Sequence, residues 1–179
     1  MIALAVSLVL LVSCSSAATR ADVKSAVPPA PNCLELVWSS GGESDKQFDI
    51  DNDRKGDDSI SCSTLTSPSA FQNTFSRVRT SAKRGDEQAL VNLVDYPLTF
   101  IDRSGEHHLL TKEDLLRSPQ AVFQKEVLDI LRNLQMRKMH VVRNKGGFFA
   151  SGAIWFQVRS VGGQPKIGTI NHQALRKTN

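Results

Sequence analysis

Phe71, Phe75, Val78 and Ala82 fall at i, i+4, i+7 and i+11, a spacing that lines all four along one stripe of a helix. Ser67-Pro68 before them reads as an N-cap with proline in the first helical turn, and Gly85 after them reads as the stop. A helix with two phenylalanines on one stripe folds only where another layer covers it, so residues 67–179 must supply that layer.

The following segments supply one. Asp86 caps a short second helix through Ala89, Leu90, Leu93 and Val94, expected to stop where Tyr96-Pro97 removes an amide donor. Leu98–Asp102 and His107–Leu110 read as two strands around the Arg103-Ser-Gly-Glu106 turn. Thr111 opens a capping box with Asp114, and Ser118-Pro119 repeats the helix-start signal. Val122, Phe123, Val127, Ile130, Leu131 and Leu134 then form the longest apolar face, predicting one helix that lids the core. Met139–Arg143, Gly147–Arg159 and Lys166–Asn171 read as three antiparallel runs split by Asn144–Gly147 and Gly162-Gly163. The expectation is an α+β domain with a curved antiparallel sheet packed on helices. Ahead of it, Leu34-Glu-Leu-Val-Trp38 alternates like a strand and Ser39–Gly42 turns the chain toward Gln47-Phe48, predicting a small β segment over residues 32–66.

The order helix, helix, hairpin, long helix, three strands resembles the cone-shaped fold of nuclear transport factor two-like (cystatin-like) proteins. Gly85-Asp86, Leu93-Val-Asp-Tyr-Pro-Leu98, Gly147-Phe-Phe149, Gly152-Ala-Ile-Trp-Phe156 and Ile167-Gly-Thr-Ile-Asn171 are similar to a group of periplasmic members. The resemblance covers roughly Ser67 to His172 and implies a cone domain over residues 67–179. It implies little about activity, since one such fold hosts isomerases, dehydratases, immunity proteins and plain binding modules.

The chain's first third speaks to location. Ile2–Leu11 is uncharged and apolar but shorter than the roughly 20 residues a bilayer-spanning helix needs, so it reads as a secretion signal. Ser15–Pro31, rich in Ser, Ala, Thr and Pro, reads as a tether. Leu11-Val12-Ser13-Cys14 resembles the lipobox of bacterial lipoproteins. That resemblance implies a signal peptide over 1–13, lipid on Cys14, and a lipidated tether over 14–31. Ser15 rather than Asp after the cysteine implies sorting to the periplasmic face of the outer membrane, with the membrane itself as one partner. With Cys14 taken by lipid, Cys33 and Cys62 remain as a disulfide pair in an oxidising compartment.

Lys and Arg total 22 against 18 acidic residues, giving a net charge of +4, and the basic residues are scattered. No nucleic-acid footprint results.

Five aspartates crowd residues 49–58. Asp49, Asp51, Asp53 and Asp57 stand at relative positions 1, 3, 5 and 9, similar to the calcium loops of EF-hand, dockerin and FG-GAP repeats, with the carbonyl of Lys55 at position 7. Arg54 replaces the usual glycine and Ile60 the closing glutamate. The cofactor expectation is a structural Ca²⁺.

His107 and His108 are successive strand residues, so they face opposite ways and cannot chelate one ion. One of them, with Asp102, would make an Asp–His dyad at the mouth of a cone. Trp155 either lines the concave face or packs into the core; with Tyr96, Asp102 and His107 it makes up the candidate ligand pocket. No standard catalytic or nucleotide-binding pattern occurs. Two functions remain open: a non-enzymatic periplasmic lipoprotein that binds an envelope protein or a toxin, in an immunity-like or inhibitor-like role, and a small hydrolase or isomerase using an Asp–His base.

Overall fold

A computed structural model describes residues 32–41, 45–54, 56 and 59–175. The signal, the tether, Cys14, Lys55 and Asp57 lie outside them. The described residues belong to one unit, 31–179, of α+β class.

Among the described residues three short helices come first: α1 (Cys33–Ser39), α2 (Lys46–Asn52) and α3 (Ile60–Thr64). The expected β segment is therefore helical. Asn32 caps α1 by accepting the Leu34 amide N–H at 3.1 Å, and Leu34 and Val37, at helical spacing, are buried while Leu36 is exposed. The Leu-Leu-Trp alternation loses to that cap and to a core that takes i and i+3. The disulfide does form: Cys33 and Cys62 join α1 to α3 across a separation of 29 residues.

α4 (Pro68–Arg84) begins and ends as its sequence predicts, with Ser67 accepting the Ala70 amide at 3.2 Å and Gly85 left-handed at φ 66°. Phe71, Phe75, Val78 and Ala82 are all fully buried. Phe75 packs edge-on against Phe149 and Phe156, ring centroids 5.3 and 5.0 Å away. Each such phenylalanine contributes roughly 1.5–3 kcal/mol of burial.

After α5 (Glu87–Val91) the chain turns and enters β1 (Val94–Ile101) earlier than Pro97 suggested; Pro97 sits inside the strand behind a cis peptide bond. β2 (His107–Leu110) returns antiparallel, and the Thr111–Asp114 capping box opens α6 (Lys112–Arg117). The predicted lid is two helices, α7 (Pro119–Val122) and α8 (Lys125–Arg132), broken at Phe123. The carbonyl of Val122, which a continuous helix would give to residue 126, faces the His172 ring at 2.9 Å. The apolar face persists across the break, with Val122, Phe123, Val127, Leu131 and Leu134 buried.

The last third contains four strands, β3 (His140–Val142), β4 (Gly146–Phe149), β5 (Ile154–Gln157) and β6 (Lys166–Asn171), before α9 (His172–Leu175). The expected second run is cut by a 3-10 turn, Ala150–Gly152, whose three residues all have positive φ. The curved sheet runs β2-β1-β6-β5-β4-β3. It is mixed rather than antiparallel, because β1 and β6 pair in parallel.

One irregularity in β6 sets its two faces. Phe156 pairs with Ile167 and Trp155 with Thr169, which leaves Gly168 as an extra residue. The extra residue lets Ile167 and Ile170 both turn inward, fully buried, while Thr169 between them turns out.

Candidate functional site

The acidic stretch does not make a loop in its first half. Asp49, Asp51 and Asp53 lie on α2 or at its end, where residues two apart diverge by about 200° around the axis. Asp49 is fully buried: its Oδ2 accepts the Trp38 indole N–H at 2.8 Å and its Oδ1 the Ser69 amide N–H at 2.7 Å. Asp51 is exposed and accepts from the Gln47 side-chain amide at 3.0 Å. Asp53 accepts from the Ser61 amide at 3.0 Å and hydroxyl at 2.5 Å, and from the Ser59 hydroxyl at 3.2 Å. Both oxygens of Asp49 and of Asp53 already have protein donors, and among the described residues the three do not converge on a common point. They do not fit a calcium loop.

A second polar group forms where β1 turns into β2. Oδ1 of Asp102 accepts the Ser104 hydroxyl at 2.6 Å and the amide N–H groups of Ser104, Gly105 and Glu106 at 2.7, 2.9 and 3.0 Å. This leaves Oδ2 facing His108 Nε2 at 3.4 Å. The Ser104 hydroxyl, the backbone donors and His108 hold the Asp102 carboxyl well below the usual carboxylate range against a smaller opposing burial effect. Asp102 is thus held as an anion facing the His108 imidazole. His107, paired with Ile101, is exposed on the other face. Asp102, Glu106 and His108 each bring one ligand atom within 4.8 Å of the others, a group that could hold a metal ion.

Tyr96 stands apart from this corner. Its hydroxyl donates to the Val91 carbonyl at 2.9 Å, and burial, aided by Glu113, pushes its pKa up to about 12. It pins β1 to the end of α5. Tyr96, Asp102, His107 and Trp155 are therefore not gathered into one pocket.

Trp155 lies neither on the helix-facing side nor in the core. It is half-buried on the outer face, opposite Ile154 and Phe156. The strand pairings put His140, Phe148, Trp155, Thr169, Thr99 and Leu109 in one row across all six strands. His140 stacks on Phe148 at 5.2 Å between centroids, and Phe148 lies 4.7 Å from Trp155. At the far end Leu109 is 68% exposed. Beside Trp155, between the end of α3 and the β3–β4 turn, is a cavity of about 500 Å³. The sequence hides this row, because assembling it requires the Gly168 irregularity and a parallel pairing between strands some 70 residues apart. The alternation of Phe148 with Phe149, and of Trp155 with its neighbours, is the only local signal.

The inner face is filled instead. Phe149, Phe156, Ile154 and Ile170 meet Phe71, Phe75 and Leu131 in one buried cluster.

No protein-family model, no curated protein and no solved structure matches this chain.

Proposed function

We propose that this chain is a lipid-anchored binding module of the bacterial envelope, held by Cys14 at the periplasmic face of the outer membrane and contacting an envelope protein or toxin through its outer sheet face. The observation that carries the binding half is the row His140, Phe148, Trp155, Thr169, Thr99 and Leu109, which puts two half-buried rings, an exposed imidazole and an exposed leucine on the outer face of the sheet. Large apolar groups presented together on such a face are where partners dock. The filled inner face supports the same reading, since chemistry in a pocket between sheet and helices finds little room there. The Leu11–Cys14 pattern supports the anchor; no described helix is long and apolar enough to cross a membrane.

Calcium in the acidic stretch is left out of this proposal, because Asp49 and Asp53 spend their oxygens on protein donors. The Asp102, Glu106 and His108 group, with one imidazole among its donors, suits a zinc-type ion better than calcium, which favours oxygen ligands alone.

A second reading is favoured by one contact. His108 beside the Asp102 anion, 3.4 Å away, is the arrangement a small hydrolase or isomerase would use for a general base.

Two experiments test the module. Labelled palmitate should mark the protein, and Cys14→Ser should abolish both label and membrane fractionation; a variant that stays with the membrane defeats the anchor. A photo-crosslinking residue at position 148 should give a defined adduct in cells that Leu109→Glu removes without loss of folding. An adduct indifferent to the sheet face, with loss of an esterase-like activity in His108→Ala, would favour the second reading.

A further inference from the structure

We propose that the cavity beside Trp155 is a binding site for an acidic saccharide, a sugar ring carrying a carboxylate. This rests on the binding-module reading and gives the outer face a ligand of its own.

The cavity holds about 500 Å³ and is lined, among others, by Thr64, Asn144, Lys145, Trp155, Gln157 and Val158. That volume lies within the range of small-molecule sites. Trp155 is fixed before any ligand arrives: its indole N–H donates to the Gly152 carbonyl at 3.1 Å, and its ring lies against Phe148 at 4.7 Å. With its one polar atom satisfied, the indole offers the cavity only ring surface, which calls for a flat partner with an apolar face.

The other walls call for polar groups on that partner. Asn144 and Lys145 are exposed, and neither side chain has a hydrogen-bond or ion-pair partner among the described residues. Gln157 adds a second amide and Thr64 a hydroxyl whose own hydrogen is given to the Ile60 carbonyl at 2.7 Å, leaving its oxygen to accept. Among the lining residues Lys145 is the single charge, and no carboxylate offsets it.

The turn that presents Asn144 and Lys145 is also held in place. The Asn144 amide N–H donates to the Ser63 carbonyl at 2.9 Å, and Gly146 follows at φ +103°, packed so closely that a Cβ would lie 2.0 Å from the Phe156 carbonyl oxygen. With the backbone that carries them fixed in this way, Asn144 and Lys145 have only their side chains to order on binding.

A ring surface, two amides, a hydroxyl oxygen and one unpaired ammonium together describe a pyranose. Its C–H face lies on Trp155, its hydroxyls meet Asn144, Gln157 and Thr64, and its carboxylate meets Lys145. A purely apolar ligand would bury Asn144 and Lys145 unpaired. A bare phosphate would leave the indole unused.

Titration calorimetry of the full chain with tri-galacturonate, and with maltotriose as the neutral counterpart, tests this. The acid should bind with submillimolar affinity and maltotriose at least about tenfold more weakly. Lys145→Gln, an exposed change, should cost the acid about tenfold or more and leave maltotriose unchanged. Trp155→Ala should abolish both, Trp155→Phe should restore part, and thermal melts should check that each variant folds. No saturable heat at about 5 mM, equal affinity for the two sugars, or indifference to Lys145→Gln overturns the proposal. Should Trp155→Ala not fold, Lys145→Gln and Asn144→Ala decide. A chain that cross-links through position 148 yet ignores tri-galacturonate loses the saccharide alone; losing both defeats the binding module as well.

Discussion

Trp38 donates its indole N–H to Oδ2 of Asp49 across 2.8 Å, so that a carboxylate two helices into the chain holds α1 against α2. Oδ1 of the same carboxylate accepts the Ser69 amide at the start of α4, and the Lys46 ammonium lies 5.3 Å over the Trp38 ring. Three helices thus meet at one buried side chain, and the first aspartate of the acidic stretch is a structural fastener.

Asp49→Ala removes that acceptor and leaves the Trp38 and Ser69 donors unpaired, so it should cost about 3 kcal/mol in urea unfolding. Asp51→Ala, at an exposed helix position, should stay within about 0.5 kcal/mol. Millimolar calcium and a chelator should give superimposable melts. A rise in melting temperature with calcium that disappears in Asp51→Ala would mean the stretch binds the ion after all.

The disulfide closes a loop across 29 residues between α1 and α3. Its removal should cost about 3–4 kcal/mol by the chain-entropy account. Cys33→Ser with Cys62→Ser should therefore melt well below the parent, and reductant should lower the parent toward the double variant while leaving that variant unmoved. If reductant shifts neither, the bridge is absent in solution.

What could be read in advance follows how local each signal is. Ser67-Pro68, Gly85, Asp86 and the Thr111–Asp114 box act within one helical turn, and all four appear where their residues stand. Leu34-Glu-Leu-Val-Trp38 misled because five residues fit either period, and the decision rests with Asn32 and with the buried Leu34 and Val37. The Asp–His contact followed from the hairpin, yet the choice of His108 over His107 depends on which face of β2 meets Phe100. The break at Phe123 and the parallel β1–β6 pair are long-range facts. His172 from the far end of the chain meets the Val122 carbonyl, and no window around residue 123 contains it.

His172 also sets a pH dependence. Desolvation lowers its pKa from the ordinary value, outweighing the opposing contact with the Val122 carbonyl. A histidine with a depressed folded pKa favours the neutral ring in the native state, so its contribution is present above the unfolded value, about 6.5, and is lost as pH falls through the folded value. The neutral ring then donates its Nε2 proton to that carbonyl. Melting temperature should fall from pH 7 to pH 5, and His172→Gln should be less stable at pH 7 but show a shallower fall. A slope unchanged in His172→Gln would assign the pH response to another group.

Gly146 and Gly147 sit side by side at the start of β4, and the structure separates their tolerances. A Cβ on Gly147 would come within 2.4 Å of the Met139 sulfur, but a methionine side chain can move aside. A Cβ on Gly146 would stand 2.0 Å from the backbone oxygen of Phe156, at a φ of +103° that side-chain-bearing residues rarely adopt. That backbone cannot yield without opening the β4–β5 pairing, where Gly147 faces Phe156. Gly147→Ala should cost about 1–2 kcal/mol, as overpacking against a flexible neighbour does. Gly146→Ala adds backbone strain to a backbone clash and should cost more than about 3 kcal/mol. Urea unfolding of the two variants gives the ranking directly. Equal costs would mean that the β3–β4 turn is looser than this geometry, and that the backbone carrying Asn144 and Lys145 is not fixed beside Trp155.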